Sequence, residues 1–267
     1  MNYRHGYHAG NFADVVKHIA LIAILTHLKK KDTPFAVIDS HGGRGLYDLA
    51  GEAARKTGEA ANGIDRLRNL STPLPPALAA YLALAGQGVS YPGSPLITAR
   101  LLRPIDRLVA IEKQPEEAAA LHAVLAPWRK ATVEVADGYA RLPRLLPPPE
   151  RRGLILVDPP FEAADEFEQL AAALRAAWRR FPTGIYLIWY PLKAQGAAEA
   201  FVGEMLATGT AAALTIEIAI EAAEGKLSRA GLLVLNPPYG FAEEMSAVLA
   251  RLEPALAART RLEKRAG

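Results

Sequence analysis

The stretch that most constrains this chain is Leu154-Ile155-Leu156-Val157-Asp158-Pro159-Pro160-Phe161. A short apolar run of this kind reads as a strand buried on both faces, which belongs in a parallel sheet covered by helices. The prolines stop the strand, because proline fixes φ and has no N–H for a further ladder bond. What remains is a rigid corner, with an acid and an aromatic, at the carboxyl edge where open α/β sheets hold their ligands. A carboxylate and a carbonyl that accept hydrogen bonds, beside a ring that stacks, suit a flat molecule carrying an amino group, such as adenine or cytosine.

The remaining pattern fits that sheet. Short apolar runs at 35–39, 108–112, 132–135, 184–190, 214–220 and 231–235 read as strands. Stretches at 13–30, 96–102, 115–127, 163–180 and 195–207 read as helices; in the first, Val15, Val16, Ile19, Ile22 and Leu25 recur at helical spacing. Alternation of this kind predicts an α/β fold, Rossmann-like, with a mostly parallel doubly wound sheet. The last two runs are joined by a short loop and are expected to pair antiparallel at one end. Residues 50–92 are alanine-rich, carry Pro73, Pro75 and Pro76, and show no convincing strand. They read as an inserted helical subdomain, with 1–49 and 93–267 as the main domain. The carboxyl terminus, with Arg259, Arg261, Lys264 and Arg265, reads as a solvated basic tail.

Composition narrows the chemistry. The chain has no cysteine, which rules out disulfides, thiolate metal sites, iron–sulfur clusters and a cysteine nucleophile. Charged residues are 22%, without a long polar tract, so extensive disorder is not expected. A net charge of +3 and a pI near 9.1 lean toward an anionic partner. No apolar run reaches the roughly 18 residues of a membrane span, and Met1 to His5 lacks a signal-peptide core. A cytoplasmic protein without membrane contact is expected.

Four strand ends then line up along one edge. The first ends in Asp39, followed by the turn His41-Gly42-Gly43-Arg44-Gly45; the second ends in Glu112; the third is followed by Asp137-Gly138; the fourth is the Asp158 corner. Glycines let backbone N–H groups approach a ligand. A carboxylate at Glu112 can accept both hydroxyls of a ribose, and Asp137 can take the exocyclic amine of a bound adenine. Taken singly, Glu112 reads as a solvated strand end and Asp137-Gly138 as a common turn. Taken in this order, the four describe an S-adenosylmethionine-dependent methyltransferase, and the Asp-Pro-Pro-Phe corner is similar to the signature of enzymes that methylate amino groups. Asn236-Pro237-Pro238-Tyr239 has the same form but no cofactor turn downstream, so it reads as a strand terminator.

The amino terminus is the second unusual region, with Tyr3, Arg4, His5, Tyr7, His8, Asn11, Lys17 and His18 close together. A capped helix entry, a metal site and a lid over a nucleotide are the three readings. His5, His8 and one further histidine form too loose a pattern for a metal, and none is expected.

These residues, with the blocks around them, resemble the RlmJ family of bacterial methyltransferases that act on adenine N6 in 23S ribosomal RNA. The likeness rests on Tyr3-Arg4-His5, His8-Ala9-Gly10-Asn11, Asp14-Val15-Val16-Lys17-His18, Asp39 to Gly45, Tyr91-Pro92-Gly93-Ser94-Pro95, Ala136-Asp137-Gly138, Arg151 to Pro160, and Thr183 to Pro191. It implies contacts to S-adenosyl-L-methionine at His18, His41, Ser94, Glu112, Asp137, Gly138 and Asp158, with Asp158, Pro159, Pro160 and Phe161 as the catalytic corner. It also implies that Tyr3, His5, His8 and Lys17 meet RNA that is free or partly assembled. Phe161 stands where the family often has tyrosine, and the glycine turn departs from the family's usual residues at Gly43 and Arg44. A monomer is expected. A DNA adenine methyltransferase is the first alternative, although 50–92 is small for a target-reading domain; an inactive nucleotide-binding module is the second. A nicotinamide enzyme fits poorly, because the turn lacks G-x-G-x-x-G spacing.

Overall fold

The computed structural model describes residues 5–85, 88–192, 196–210, 212–222 and 225–265. Helix α1 (Phe12–Leu28) starts where Asn11 turns its Oδ1 onto the backbone N–H groups of Ala13 and Asp14, at 3.0 and 2.9 Å. Its apolar side packs into the core, yet Asp14, Lys17 and His18 are buried as well. A helix enclosed on nearly every side is a central element rather than a surface one.

The chain continues through β1 (Ala36–Asp39), β2 (Leu46–Asp48), α2 (Glu52–Thr57), α3 (Ile64–Leu67), α4 (Pro76–Ala85), β3 (Ser90–Pro92) and α5 (Ser94–Leu101). Next come β4 (Arg107–Glu112), α6 (Pro115–Leu125), β5 (Ala131–Val135), α7 (Gly138–Arg141), β6 (Gly153–Val157) and α8 (Glu166–Arg180). The last elements are β7 (Ile185–Pro191), α9 (Ala197–Leu206), β8 (Ala213–Ile220), β9 (Arg229–Leu235), α10 (Phe241–Leu256) and β10 (Ala258–Arg265). Among the described residues, no helix is long and apolar enough to cross a membrane.

Eight strands form one sheet in the order β10-β8-β9-β7-β6-β1-β4-β5. From β5 to β7 the pairs are parallel, and β7, β9, β8 and β10 then pair antiparallel in succession. The chain runs outward from β1 through β4 to β5 and then resumes on the other side of β1 with β6. The switch between β1 and β6 opens a crevice at their carboxyl ends, the usual ligand position in such sheets. Asp39 and Asp158 stand on either side of it.

Two features differ from the sequence reading. The basic carboxyl terminus is no solvated tail: it forms the edge strand β10, in register with β8 from Ala258 opposite Ile220 to Arg265 opposite Ala213. Its alternating charges suit an edge, where they discourage pairing with another chain; Lys264, for one, donates to Glu243 at 3.1 Å. Before it lies α10, which buries Phe241, Met245, Val248, Leu249, Leu252 and Leu256. The second difference is the two-stranded sheet of β2 and β3, from which the helices of 50–92 hang. Ile64, Leu67, Leu78 and Tyr81 of those helices are buried in the same core as α1. That core fills one side of the sheet, and α8 and α9 cover the other through Leu170, Leu174, Phe201 and Met205.

The position of α10 is open to test. Leu252 is fully buried, so Leu252→Ala is expected to lower stability by about 2–5 kcal/mol, read by urea unfolding. A loss within about 0.5 kcal/mol would contradict the burial of α10 in the core.

Candidate active site

Two cavities meet at the crevice. One, about 290 Å³, lies over the ends of β1, β4 and β5. The other, about 270 Å³, lies against the Pro159–Phe161 corner. Lys17 and Asp158 line both, so this pair stands between them.

The neck is built on α1. Lys17 Nζ donates to Asp14 Oδ1 at 2.7 Å and also to Asp158 Oδ2. Asp14 further accepts from the Gly10 N–H at 3.0 Å, and His5 Nε2 lies 2.9 Å from it. Burial works against charge on Lys17, but the carboxylates of Asp14 and Asp158 together outweigh it and raise its pKa. Burial likewise opposes ionisation of Asp14, and its interactions with His5 and Lys17 prevail, holding its carboxyl well below the usual range. The His5 ring sits edge-on to Tyr47, centroids 5.0 Å apart.

In the first cavity the glycine turn follows β1. Gly43 adopts φ 59°, in the left-handed region, and its N–H donates to Glu112 Oε2 at 2.9 Å. Gln114 N–H donates to Glu112 Oε1 at 2.7 Å. Burial still pushes the Glu112 carboxyl up despite these bonds. Asp137 caps α7 by accepting from the Ala140 N–H at 3.1 Å and from Lys113 Nζ at 2.9 Å. Burial opposes its charge, but these bonds lower its pKa overall. Gly138 must be glycine, because a Cβ there would lie 2.1 Å from the Ser40 carbonyl oxygen. His41 approaches Tyr139 edge-on at 5.0 Å, and its Nδ1 lies 2.8 Å from Ser40 Oγ. Burial lowers His41 to about 4 and His18 to about 3, so both rings are neutral near pH 7. His18 Nδ1 lies 2.9 Å from the Tyr91 hydroxyl. Ser94 Oγ donates to Asp39 at 2.7 Å, which ties the start of α5 to the end of β1.

These groups fit a nucleoside-bearing sulfonium donor. Two carboxylates at neighbouring strand ends can accept from ribose hydroxyls and an adenine amine. Gly138 permits close approach, and the neutral His41 and His18 add no repulsion toward a cation.

The second cavity is more aromatic. Phe161 lies edge-on to Phe167 at 4.7 Å and to Trp189 at 5.8 Å. Its backbone is left-handed, φ 50°, which costs a non-glycine residue about 1–3 kcal/mol. The packed rings hold it there. His8 and Asn11 line the same chamber, and both reach Glu59: His8 Nδ1 lies 2.9 Å from Oε1, and Asn11 Nδ2 donates to Oε2 at 3.0 Å.

The structure therefore brings His18, His41, Ser94, Glu112, Asp137 and Gly138 around one cavity, and Pro159, Phe161 and His8 around the other, with Asp158, Pro160, His5 and Lys17 shared. Tyr3 lies outside the described residues. Lys17 is 3% exposed and pairs with Asp158, yet it lines both cavities. The echo at Asn236 is a terminator: β9 runs against β7, with Leu235 opposite Tyr186, so the motif lies at the opposite edge of the sheet. There Asn236 Nδ2 donates to the carbonyls of Pro182 and Gly184, both at 2.8 Å.

Sequence reasoning missed Asp14, Tyr47, Lys113, Tyr139 and Trp189. Asp14 and Lys17 stand three apart, the spacing of helix neighbours. Trp189 lies near the end of the strand paired to β6, so the strand-end argument applied to one more strand would have found it.

Asp39 supplies a pH-dependent test. Burial pushes its carboxyl up to about 6, with the Ser94 bond opposing. A carboxyl whose folded value exceeds its unfolded one adds stability at low pH that is lost as pH rises through the folded value. Wild-type stability relative to Asp39→Asn is therefore expected to rise as pH falls from about 7 to about 4, measured by urea unfolding. A difference that does not change with pH would contradict the burial argument.

Comparison with known proteins identifies the family. The family model described as RsmJ, ribosomal RNA large subunit methyltransferase D, RlmJ, matches residues 32–265. The chain is 38% identical to ribosomal RNA large subunit methyltransferase J of Escherichia coli (strain K12) over 257 residues, covering 93% of this chain and 91% of that protein. It is 37% identical to the protein of the same name from Haemophilus influenzae (strain Rd) over 265 residues, covering 96% and 94%. A solved structure from Legionella pneumophila (strain Philadelphia 1) superposes with a TM-score of 0.88 at 33% identity, covering 96% of this chain and 98% of that one. The chain belongs to the RlmJ family of ribosomal RNA large subunit methyltransferases.

Proposed function

We propose that the protein transfers a methyl group from S-adenosyl-L-methionine to the N6 amine of one adenine in 23S ribosomal RNA. The observation that carries this reading is the position of Asp158, at the meeting of a donor-sized cavity and an aromatic chamber. When bound, the donor supplies an electrophilic methyl group on a sulfonium.

The target adenine leaves its stack, or is already single-stranded, and enters beside Phe161 and Trp189. The Asp158 carboxylate and the Pro159 carbonyl accept the two N6 hydrogens and aim the nitrogen at the methyl carbon. These bonds favour a more tetrahedral nitrogen, whose lone pair is freed from the ring. Orientation of this kind is worth up to roughly 7–11 kcal/mol. Lys17, charged and held by Asp14, keeps the Asp158 carboxylate turned to the neck. Once the nitrogen carries its methyl group it is acidic and gives its spare proton to Asp158 or to water. Phe161 stacks without the hydroxyl that a tyrosine would bring.

On the donor side, Glu112 holds the ribose and Asp137 the adenine amine, while His18, His41, Ser94 and Gly138 shape the wall. His5, His8 and Tyr3 meet the RNA strand. The helices of 50–92 form a small subdomain beside the base chamber. The protein works as a monomer in the cytoplasm, on RNA that is free or partly assembled.

Mass mapping of ribosomal RNA from cells lacking the protein is expected to show one N6-methyladenine missing, restored by the wild type. Asp158→Ala is expected to bind the donor yet lose about 100-fold or more in kcat. An unchanged RNA mass map, or full turnover by folded Asp158→Ala, would contradict the proposal.

A further inference from the structure

A third cavity, about 190 Å³, adjoins the base chamber. The two share Asn11 and Leu227 in their linings, so these residues lie on their common border. Phe12 and Ile220 give the third cavity apolar wall, while Asn62, Glu221 and Lys226 bring an amide, a carboxylate and an ammonium to it. It is smaller than either of the two chambers that meet at Asp158.

We propose that this chamber holds the base of a nucleotide next to the target adenine, so that the enzyme grips its RNA by two neighbouring bases in two adjoining chambers. The inference rests on the proposed RNA substrate. The chemistry favours a base over a phosphate: apolar side chains meet a flat ring, while amide and carboxylate groups meet the hydrogen-bonding edge. A phosphate would face the Glu59 and Glu221 carboxylates, which also line the cavity.

The shared border is held firmly. Asn11 caps α1 with its Oδ1 and donates to Glu59 with its Nδ2. The floor of the third cavity is thus part of the helix that carries Lys17, five residues beyond Phe12. The opposite side is tied as well, because Lys226 Nζ donates to the Thr57 carbonyl at 3.0 Å and joins the β8–β9 connection to the 50–92 helices. When the target base is turned out of its stack, the adjacent nucleotide is close enough to reach the adjoining chamber. A base seated there fixes which adenine enters the catalytic chamber, and so sets sequence preference without touching the reacting atoms.

The test uses the full-length protein and an unmodified 23S ribosomal RNA fragment, with the methylated adenine located by mass mapping. Abasic nucleotides are placed singly at each position flanking that adenine. With wild type, one abasic neighbour is expected to lower kcat/KM about tenfold, the size of a lost stacking contact. Ile220→Trp, which fills the chamber, and Asn62→Ala, which removes an edge contact, are assayed alongside. Both are expected to bind S-adenosylhomocysteine as wild type does. On intact RNA, Ile220→Trp is expected to lose about as much as wild type loses to the abasic neighbour, and to lose nothing further on that abasic RNA. Asn62→Ala is expected to show a smaller loss with the same non-additivity. Two variants that match wild type on intact RNA, or that suffer the abasic loss in full, overturn the subsite while leaving the proposed function standing. A wild-type protein that methylates no adenine of the fragment overturns the proposed function and the subsite together.

Discussion

The site depends on one buried cation. Lys17 lies in the middle of α1, enclosed by the fold, with Asp14 beneath it and Asp158 across from it. Taking three ionised groups out of water is expensive, and their mutual attraction recovers that cost only when the geometry is good. Removing one member of such a set typically costs about 3–5 kcal/mol, because it strands the others. Well-packed hydrophobic residues in place of buried ion pairs are often no less stable. What the charges add is position: the carboxylate at the end of β6 is pinned to the helix that underlies both the base chamber and its neighbour. The start of that helix is fixed by Asn11, and its middle by Lys17.

Much of this was legible in the sequence, for a physical reason. The strands β1, β4, β6 and β7 are buried on both faces and so appear as apolar runs; the acids and glycines of the first cavity follow β1, β4, β6 and the edge strand β5. Edge and stem strands leave weaker marks. β10 alternates charge with small and apolar residues, a composition shared with a solvated tail, and only its pairing with β8 distinguishes the two. β2 and β3 have three residues each and no apolar run at all. Helix α10, by contrast, has a clear apolar spacing that escaped notice behind the last recognised strand.

The role of Lys17 was the least legible. Its partner Asp158 is 141 residues away, and no local pattern announces a contact across that distance. Its neighbours in sequence, histidines and tyrosines near the amino terminus, give no sign of that partner; only the fold shows it. The two proline pairs teach the same lesson. Asp158-Pro159-Pro160-Phe161 and Asn236-Pro237-Pro238-Tyr239 both end strands, and Phe161 and Asn236 both adopt left-handed backbone. The direction of the strand separates them. β6 runs parallel to β1 and delivers its corner to the crevice, whereas β9 runs the other way and leaves Tyr239 in solvent, 94% exposed.

The central claim is that donor and base meet head-on at Asp158, from opposite sides of the neck. A crystal structure with S-adenosylhomocysteine and adenosine bound together tests it most directly. The account predicts the thioether sulfur at the neck beside Asp158, the cofactor ribose on Glu112, and the adenosine amine turned to Asp158 with its ring against Phe161. A sulfur lodged away from Asp158, or a purine seated anywhere but the Phe161 chamber, would contradict it.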